Sequence, residues 1–163
     1  MALTITHVNT TPGPSNKVDA ADWTASHTLA GDYLRKATVT LSSADILDLH
    51  NTGVTLVAAP GAGKVVVPSR ITTFLTFGTV AYTFAGDVAV SYNFDGFGLG
   101  NACQLATLTA VADSASFMYP GSTGSTLTAD VANAPLMVFA TGAITTGDGT
   151  LTITTWYSIE DVP

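Results

Sequence analysis

The chain has 163 residues, with 5 Lys and Arg against 12 Asp and Glu, and its formal net charge is −7 at pH 7. All five bases lie within the first 70 residues, and residues 71–163 contain no Lys, Arg or His. A basic surface for direct nucleic-acid binding is therefore not expected. The acidic part also lacks the cationic and imidazole groups that most active sites use, so we expect no enzyme, no metal ligands and no cofactor.

The length and hydrophobicity of the chain limit the number of domains and the kinds of segment it can form. A chain of 163 residues forms one ordinary domain with a short appendage. Hydrophobic residues make up 47% of the chain, but their runs are only a few residues long, so we expect no membrane insertion. The N-terminus has no basic and apolar pattern typical of a secretory signal.

Residues 1–36 differ in amino-acid composition from the rest of the chain. The segment TTPGPSN at residues 10–16 cannot hold a regular strand ladder, because its prolines lack an N–H and favour extended or turn geometry. Apolar residues are sparse here, so order in this part should come from a partner. The pattern predicts an extended N-terminal anchoring arm over residues 1–36.

Residues 37–163 are predicted to be almost entirely β. The chain has 27 Thr and 15 Gly but a single Glu and a single Gln, a composition that suits short strands and turns rather than helices. We predict a jelly-roll-like antiparallel β-sandwich of about eight strands. A helical turn with serine caps is expected at residues 42–50. The strand candidates are residues 39–41, 54–59, 64–67, 71–77, 88–94, 105–111, 136–140 and 151–159.

The segment APGAGK at residues 59–64 resembles a phosphate-binding loop only superficially. The first Gly of that motif is replaced by Ala58, and Val65 stands where the magnesium-binding hydroxyl belongs. The segment is therefore interpreted as a glycine-rich hairpin turn with no nucleotide site.

The last strand shows strict alternation. Leu151, Ile153 and Thr155 fall on one face with Tyr157 and Ile159, and Trp156 falls on the other. The turn sequence at residues 147–149 precedes it, so residues 136–159 are expected to form a hairpin or two connected strands. A Trp on the outer face of an end strand suggests a subunit interface.

Phe97 is the second candidate contact residue. It lies in the loop sequence DGFGLG, residues 95–100, where flanking glycines favour an exposed ring. We expect a neighbouring subunit to cover it, with contact to a ligand as the alternative. The three histidines share no metal-binding spacing, and Asp95 and Asp148 lie in turn sequences.

The arm also contains a recognisable segment. Residues 18–31, VDAADWTASHTLAG, resemble the Asp-Trp-Asn-x-x-His segment near the N-terminus of many tailed-bacteriophage virion proteins, with Thr24 in place of the Asn. Residues 39–47, 57–65 and 146–151 are similar to small phage virion domains. The resemblance implies arm-anchoring roles for five residues: Asp19, Asp22, Trp23, His27 and Leu29.

The resemblance implies a protein of the outer surface of the virion that docks on phage capsid or tail proteins and projects a homotrimeric β domain. Because the chain has one β domain and no repetitive shaft, we expect a capsid decoration or cement protein. A tail fibre or tail adaptor subunit that serves host attachment is the first alternative. A carbohydrate-binding module for a host surface glycan, with Phe97 at its site, is the second.

Overall fold

The computed structural model describes residues 34–92, 99–105, 112–118 and 132–161. The chain divides into two units, Met1–Gly31 and Asp32–Pro163, and every described residue belongs to the second. The five predicted anchoring residues of the arm therefore lie outside the described residues. The first strand begins at Arg35, two residues before the predicted start of the β domain.

The described ranges contain ten strands and one short helix. In chain order these are β1 (Arg35–Leu41), α1 (Ser43–Asp48), β2 (Val54–Val57), β3 (Lys64–Thr76), β4 (Thr83–Phe84), β5 (Val88–Tyr92), β6 (Leu99–Leu105), β7 (Ser114–Met118), β8 (Leu136–Ala140), β9 (Ile144–Thr146) and β10 (Thr150–Asp161). The predicted all-β class is confirmed.

Two four-stranded sheets form the sandwich. Sheet A has the order β1-β10-β3-β7, sheet B has the order β2-β8-β5-β6, and β4 pairs with β9 as a small extra ribbon. All described pairings are antiparallel. With the ribbon set aside, the first strand pairs with the last, the second with the second-last, and so on inward. This nested pairing is the jelly roll, so the predicted fold is confirmed.

The core follows from period-two alternation on the inner faces of the sheets. In sheet A, Leu151 and Ile153 of β10 face inward with Ile71 and Leu75 of β3, and all four are at most 1% exposed. Sheet B contributes apolar residues such as Val138. The apolar area that these residues remove from water stabilises the fold, at roughly 25 cal/mol per Å².

Helix α1 closes one end of the sandwich, as its predicted caps suggested. The Ser42 hydroxyl accepts a hydrogen bond from the Asp45 N–H, and the Asp45 carboxylate accepts from the Ser42 N–H at 2.8 Å. This reciprocal capping box satisfies two backbone donors at the start of the helix. Ile46 and Leu49 are fully buried, and the helix packs against β1, β9 and β10.

Three local predictions are corrected. Residues 64–67 and 71–77, expected as separate strands, form the single strand β3, because the break at Pro68 is absorbed by a bulge. The glycine-rich segment at 59–64 joins sheet B to sheet A and is therefore not a hairpin turn. Residues 136–159 are not a simple hairpin either, because β8 and β10 belong to different sheets and β9 lies between them.

Candidate functional site

The outer face of sheet A carries the predicted interface residue Trp156. Inner residues of each strand are buried, and those alternating with them point away from the core. The strand register arranges nine outer residues in three rows across β1, β10 and β3. The rows are Lys36–Trp156–Arg70, Thr38–Thr154–Thr72 and Thr40–Thr152–Phe74.

Two of these rows are rich in threonine. The Thr38 and Thr154 hydroxyls lie 3.1 Å apart, and the Thr40 and Thr152 hydroxyls are separated by the same distance. Cross-strand pairs of this kind stabilise an antiparallel sheet. Phe74 ends the third row and is 46% exposed. The nine outer residues thus combine hydroxyl, apolar and cationic groups and include no acid.

The remaining row, Lys36, Trp156 and Arg70, is called here the Trp156 row. The Arg70 guanidinium carbon lies 3.7 Å from the centre of the indole ring, and the Lys36 ammonium lies 5.7 Å from it. Both distances are within the range of cation–π attraction. Because Arg70 stacks at van der Waals distance, the ring holds the guanidinium in place and leaves less freedom to its long side chain.

A β-bulge aims Arg70 at the ring. The register shifts between Trp156, which pairs with Arg70, and Tyr157, which pairs with Pro68, so Ser69 is the extra residue of β3. The Ser69 hydroxyl donates a hydrogen bond to the Trp156 carbonyl oxygen at 3.1 Å. Pro68 has no N–H and is tolerated at such an irregularity. Bulges redirect neighbouring side chains, so the sequence Pro-Ser-Arg at 68–70 builds this contact.

The cations of the Trp156 row are not neutralised within the described part of the chain. No described Asp or Glu forms an ion pair with Lys36 or Arg70, whereas Lys64 pairs with Asp161 at 2.6 Å. A stacked guanidinium still presents N–H groups that match the two oxygens of a carboxylate or phosphate. The row can therefore bind a partner that presents an anionic group beside an apolar group.

The opposite end of the sandwich, called here the acidic end, is where α1 and the turns after β3 and before β10 lie. Its five described carboxylates are Asp45, Asp48, Asp87, Asp113 and Asp148. No Lys or Arg among the described residues lies there: the four bases Arg35, Lys36, Lys64 and Arg70 all lie in the other half of the strands, called here the basic half.

Most carboxylates of the acidic end hold turns. Asp113 accepts a hydrogen bond from the Phe77 N–H at 2.8 Å. Asp148 accepts from the Thr79 hydroxyl at 2.6 Å and from the Thr79 and Val80 N–H groups at 2.8 Å. These hydrogen bonds, led by that from the Thr79 hydroxyl, lower the pKa of Asp148. The predicted role of Asp148 as a turn residue agrees with this geometry, and the charge stays ionised and fixed in position.

The other predicted site residues fall elsewhere. Phe97 and Asp95 lie outside the described residues, as do His7 and His27. The His50 Nδ1 lies 3.3 Å from the Ala140 carbonyl oxygen. Within the described ranges, no three His, Cys, Asp or Glu residues are close enough to hold a metal ion.

Sequence reasoning selected Trp156 but missed Lys36, Arg70 and Phe74. Their common face follows from strand register, which pairs residues 120 and 86 positions apart in the chain. One available signal was that period-two alternation places Lys36 on the same side of β1 as Thr38 and Thr40. The bulge at Ser69 was signalled only by Pro68.

Comparisons with known proteins give no further information about the function of these residues. No protein-family model matches the chain, and no curated protein matches it. Among the described residues, no helix is long and apolar enough to cross a membrane.

Proposed function

We propose that the protein is a non-enzymatic structural protein of a bacteriophage virion. In this proposal it is a capsid decoration protein on the outer surface of the particle, docked through residues 1–36 and projecting a trimeric β domain. One observation carries the proposal: a segment that resembles phage virion arms precedes a body with nested jelly-roll pairing. Jelly rolls are an architecture of viral capsid domains, although a fold alone does not assign a function.

A non-enzymatic role is supported by the use made of the polar groups. Carboxylates of the acidic end such as Asp45 and Asp148 cap a helix or fix a turn. The row around Trp156 offers cations and an aromatic ring but no nucleophile with a base beside it. Such a surface suits binding rather than turnover.

The test is incorporation of variants into phage particles. Trp23→Ala should leave the β body folded and weaken docking by roughly 2–4 kcal/mol if the ring is buried at the interface. Trp23→Phe, which keeps most of the apolar area, is the matched control and should keep most of the occupancy. Unchanged occupancy after removal of residues 1–31 would contradict docking through the arm.

Copy number separates decoration from the tail alternative. Hundreds of copies per particle would support decoration, whereas a few to some tens would support a tail fibre or tail adaptor subunit. Locating the chain in an image of the particle measures this directly.

A carbohydrate-binding role has one observation in its favour, the partly exposed Trp156 on a sheet face. Indole rings stack on sugars, but Arg70 already stacks on this ring and competes for its surface. Specific binding of host surface glycans by the isolated β body would favour this alternative over decoration.

A further inference from the structure

We infer that the Trp156 row is a docking surface for the acidic end of a second copy of this chain. The inference deepens the proposed function, because it rests on the trimer included there and names the contact that would form it. The row and the acidic end belong to different parts of the same body, so each copy would offer one and receive the other.

The row has the properties of a preorganised receptor for carboxylates. Arg70 is held by the indole ring at 3.7 Å, and no described acid neutralises it or Lys36. The partly exposed indole ring of Trp156 supplies the apolar part of the surface. Aromatic and arginine side chains are the residue types that contribute most at protein interfaces. The surface therefore joins charge recognition to apolar burial.

The acidic end supplies the complementary charge. Its carboxylates are exposed, and hydrogen bonds within their turns fix several of them in position, as for Asp45 and Asp148. These hydrogen bonds also keep both groups ionised. A carboxylate has about four acceptor positions, so a turn-forming Asp can still accept from a lysine or arginine of a neighbour.

Electrostatic repulsion disfavours contacts in which two copies meet through the same surface. Each copy carries a formal net charge of −7, so copies repel unless the contact places opposite charges together. A two-fold contact of the row with itself would oppose Arg70 or Lys36 with the same cations. A two-fold contact of the acidic ends would oppose carboxylates with carboxylates. Contact of one row with the acidic end of the next copy avoids both arrangements.

Such a contact is heterologous, and heterologous contacts close into rings of three or more or continue as filaments. Arg70 lies six residues from the end of β3 at Thr76, about 20 Å along the strand. The two contact surfaces are therefore well separated on one copy and can be occupied at the same time. A closed ring of three satisfies every copy equally.

The experiment measures self-association of the full chain by analytical ultracentrifugation across micromolar concentrations. Arg70→Glu should weaken association at least about tenfold, a size expected for a central charged contact. Lys64→Glu is the matched control: it makes the same charge change on the same strand, but Lys64 is already paired with Asp161. It should weaken association less than about twofold, as exposed pairs usually contribute little.

A charge exchange tests the partner surface. Asp48→Lys with Asp87→Lys should weaken association in an otherwise unchanged chain. Combining these two changes with Lys36→Glu and Arg70→Glu should restore it, because the signs are exchanged on both surfaces. Association of the unchanged chain should also weaken when salt rises from about 0.05 to 0.5 M.

Three outcomes would overturn the inference. These are a monomer at every concentration, equal weakening by Arg70→Glu and Lys64→Glu, and no effect of the changes at Asp48 and Asp87. Circular dichroism of each variant shows whether it is folded, and Arg70→Gln provides a milder loss of charge if Arg70→Glu fails to fold. Particle incorporation is measured separately, so a monomeric protein that still enters particles would refute this contact and the trimer but not the virion role.

Discussion

The two ends of the sandwich use charged residues in different ways. At the acidic end, carboxylates bond backbone N–H groups of their own chain, as Asp113 bonds Phe77 and Asp148 bonds Val80. In the basic half, Arg70 and Lys36 lie against an indole ring and form no ion pair with a described acid. Carboxylates therefore hold turns together at one end, whereas the two cations of the Trp156 row are presented outward in the other half.

This difference between the two ends shows that the fold uses few charged residues, and that many of them stabilise turns. Only 10% of the chain is charged, yet the acidic end places its carboxylates where turns leave N–H groups without strand partners. Buried apolar residues hold the rest of the sandwich together. The following experiments test the contrast between the ends, from the largest expected effect to the smallest.

The first prediction concerns the helix that closes the acidic end. Leu49→Ala should lower the free energy of unfolding by about 3 kcal/mol, because Leu49 is fully buried and its removal leaves a cavity. Leu49 caps the C-terminus of α1, and Leu47→Ala within α1 is the matched control. It should cost less than half as much because Leu47 is only partly buried. Denaturant unfolding measures both, and equal losses would show that α1 does not close the core.

The second prediction compares one buried tyrosine in each half. The Tyr82 hydroxyl donates to the Gly149 carbonyl oxygen at 2.6 Å near the acidic end, and the Tyr92 hydroxyl donates to the Val66 carbonyl oxygen at 2.5 Å in the basic half. Tyr82→Phe and Tyr92→Phe should each lower the free energy of unfolding by about 1 kcal/mol. A loss confined to one variant would show that the halves differ in backbone support as well as in charge.

The same tyrosines predict the alkaline behaviour of the fold. Burial raises the pKa of Tyr82 and of Tyr92 to about 12 each, and Asp148 adds to the effect at Tyr82. The folded state thus holds these protons more tightly than the unfolded chain, where the pKa is about 10. The contribution of these two tyrosines to stability should be constant below about pH 10 and fall between about pH 10 and 12. The double Tyr→Phe variant should show a shallower fall in this range.

The third prediction concerns Thr155, a buried residue on the inner face of sheet A next to Trp156. Thr155 is 1% exposed, and its hydroxyl has no hydrogen-bond partner among the described residues. Thr155→Val should raise the free energy of unfolding by about 1 kcal/mol, because it removes an unsatisfied buried polar group at nearly constant volume. Thr154→Val is the outer-face control and should give no gain, since it loses the bond to Thr38. A destabilised Thr155→Val would reveal a partner for that hydroxyl.

The smallest effect is expected in acid and should be confined to the acidic end. Hydrogen bonds lower the pKa of Asp148, with that from the Thr79 hydroxyl the largest contribution, and those from Ser42 do the same for Asp45. A folded pKa below the unfolded one contributes stability above about pH 4, and this is lost as pH falls through the folded pKa. Amide exchange at Val80 should therefore accelerate below pH 4 before exchange at Val66 does. Simultaneous acceleration would contradict this localisation.

The sequence predicts the all-β class and the short helix well because strand alternation and helix caps are local patterns. Alternation at Leu151 and Ile153 and the caps around Ser42 are physical preferences of a few adjacent residues, and the structure contains both features. The join at 59–64 was misassigned because a glycine-rich turn has the same local sequence whether it links two strands of one sheet or crosses between sheets.

The candidate site was less accessible to sequence reasoning. Trp156 was selected from its own alternation, but Arg70 reaches the ring only because Ser69 forms a bulge. Pairing between residues 86 positions apart depends on the whole topology, which short-range preferences do not encode. The confinement of all five bases to the first 70 residues was visible in the sequence, whereas the placement of the four described bases in one half of the sandwich required the strand order.

The nested strand pairing also limits when, during its synthesis, the protein can fold. Among the described strands, β1 pairs in sheet A with β10 alone, and the Thr38–Thr154 bond closes a separation of 116 residues. Pairings between such distant residues form slowly, because a long loop must close first. On the ribosome, β1 would emerge long before its partner is synthesised, so sheet A cannot be completed until translation has passed β10. Residues 1–36 would thus leave the ribosome well before the body that they precede has folded.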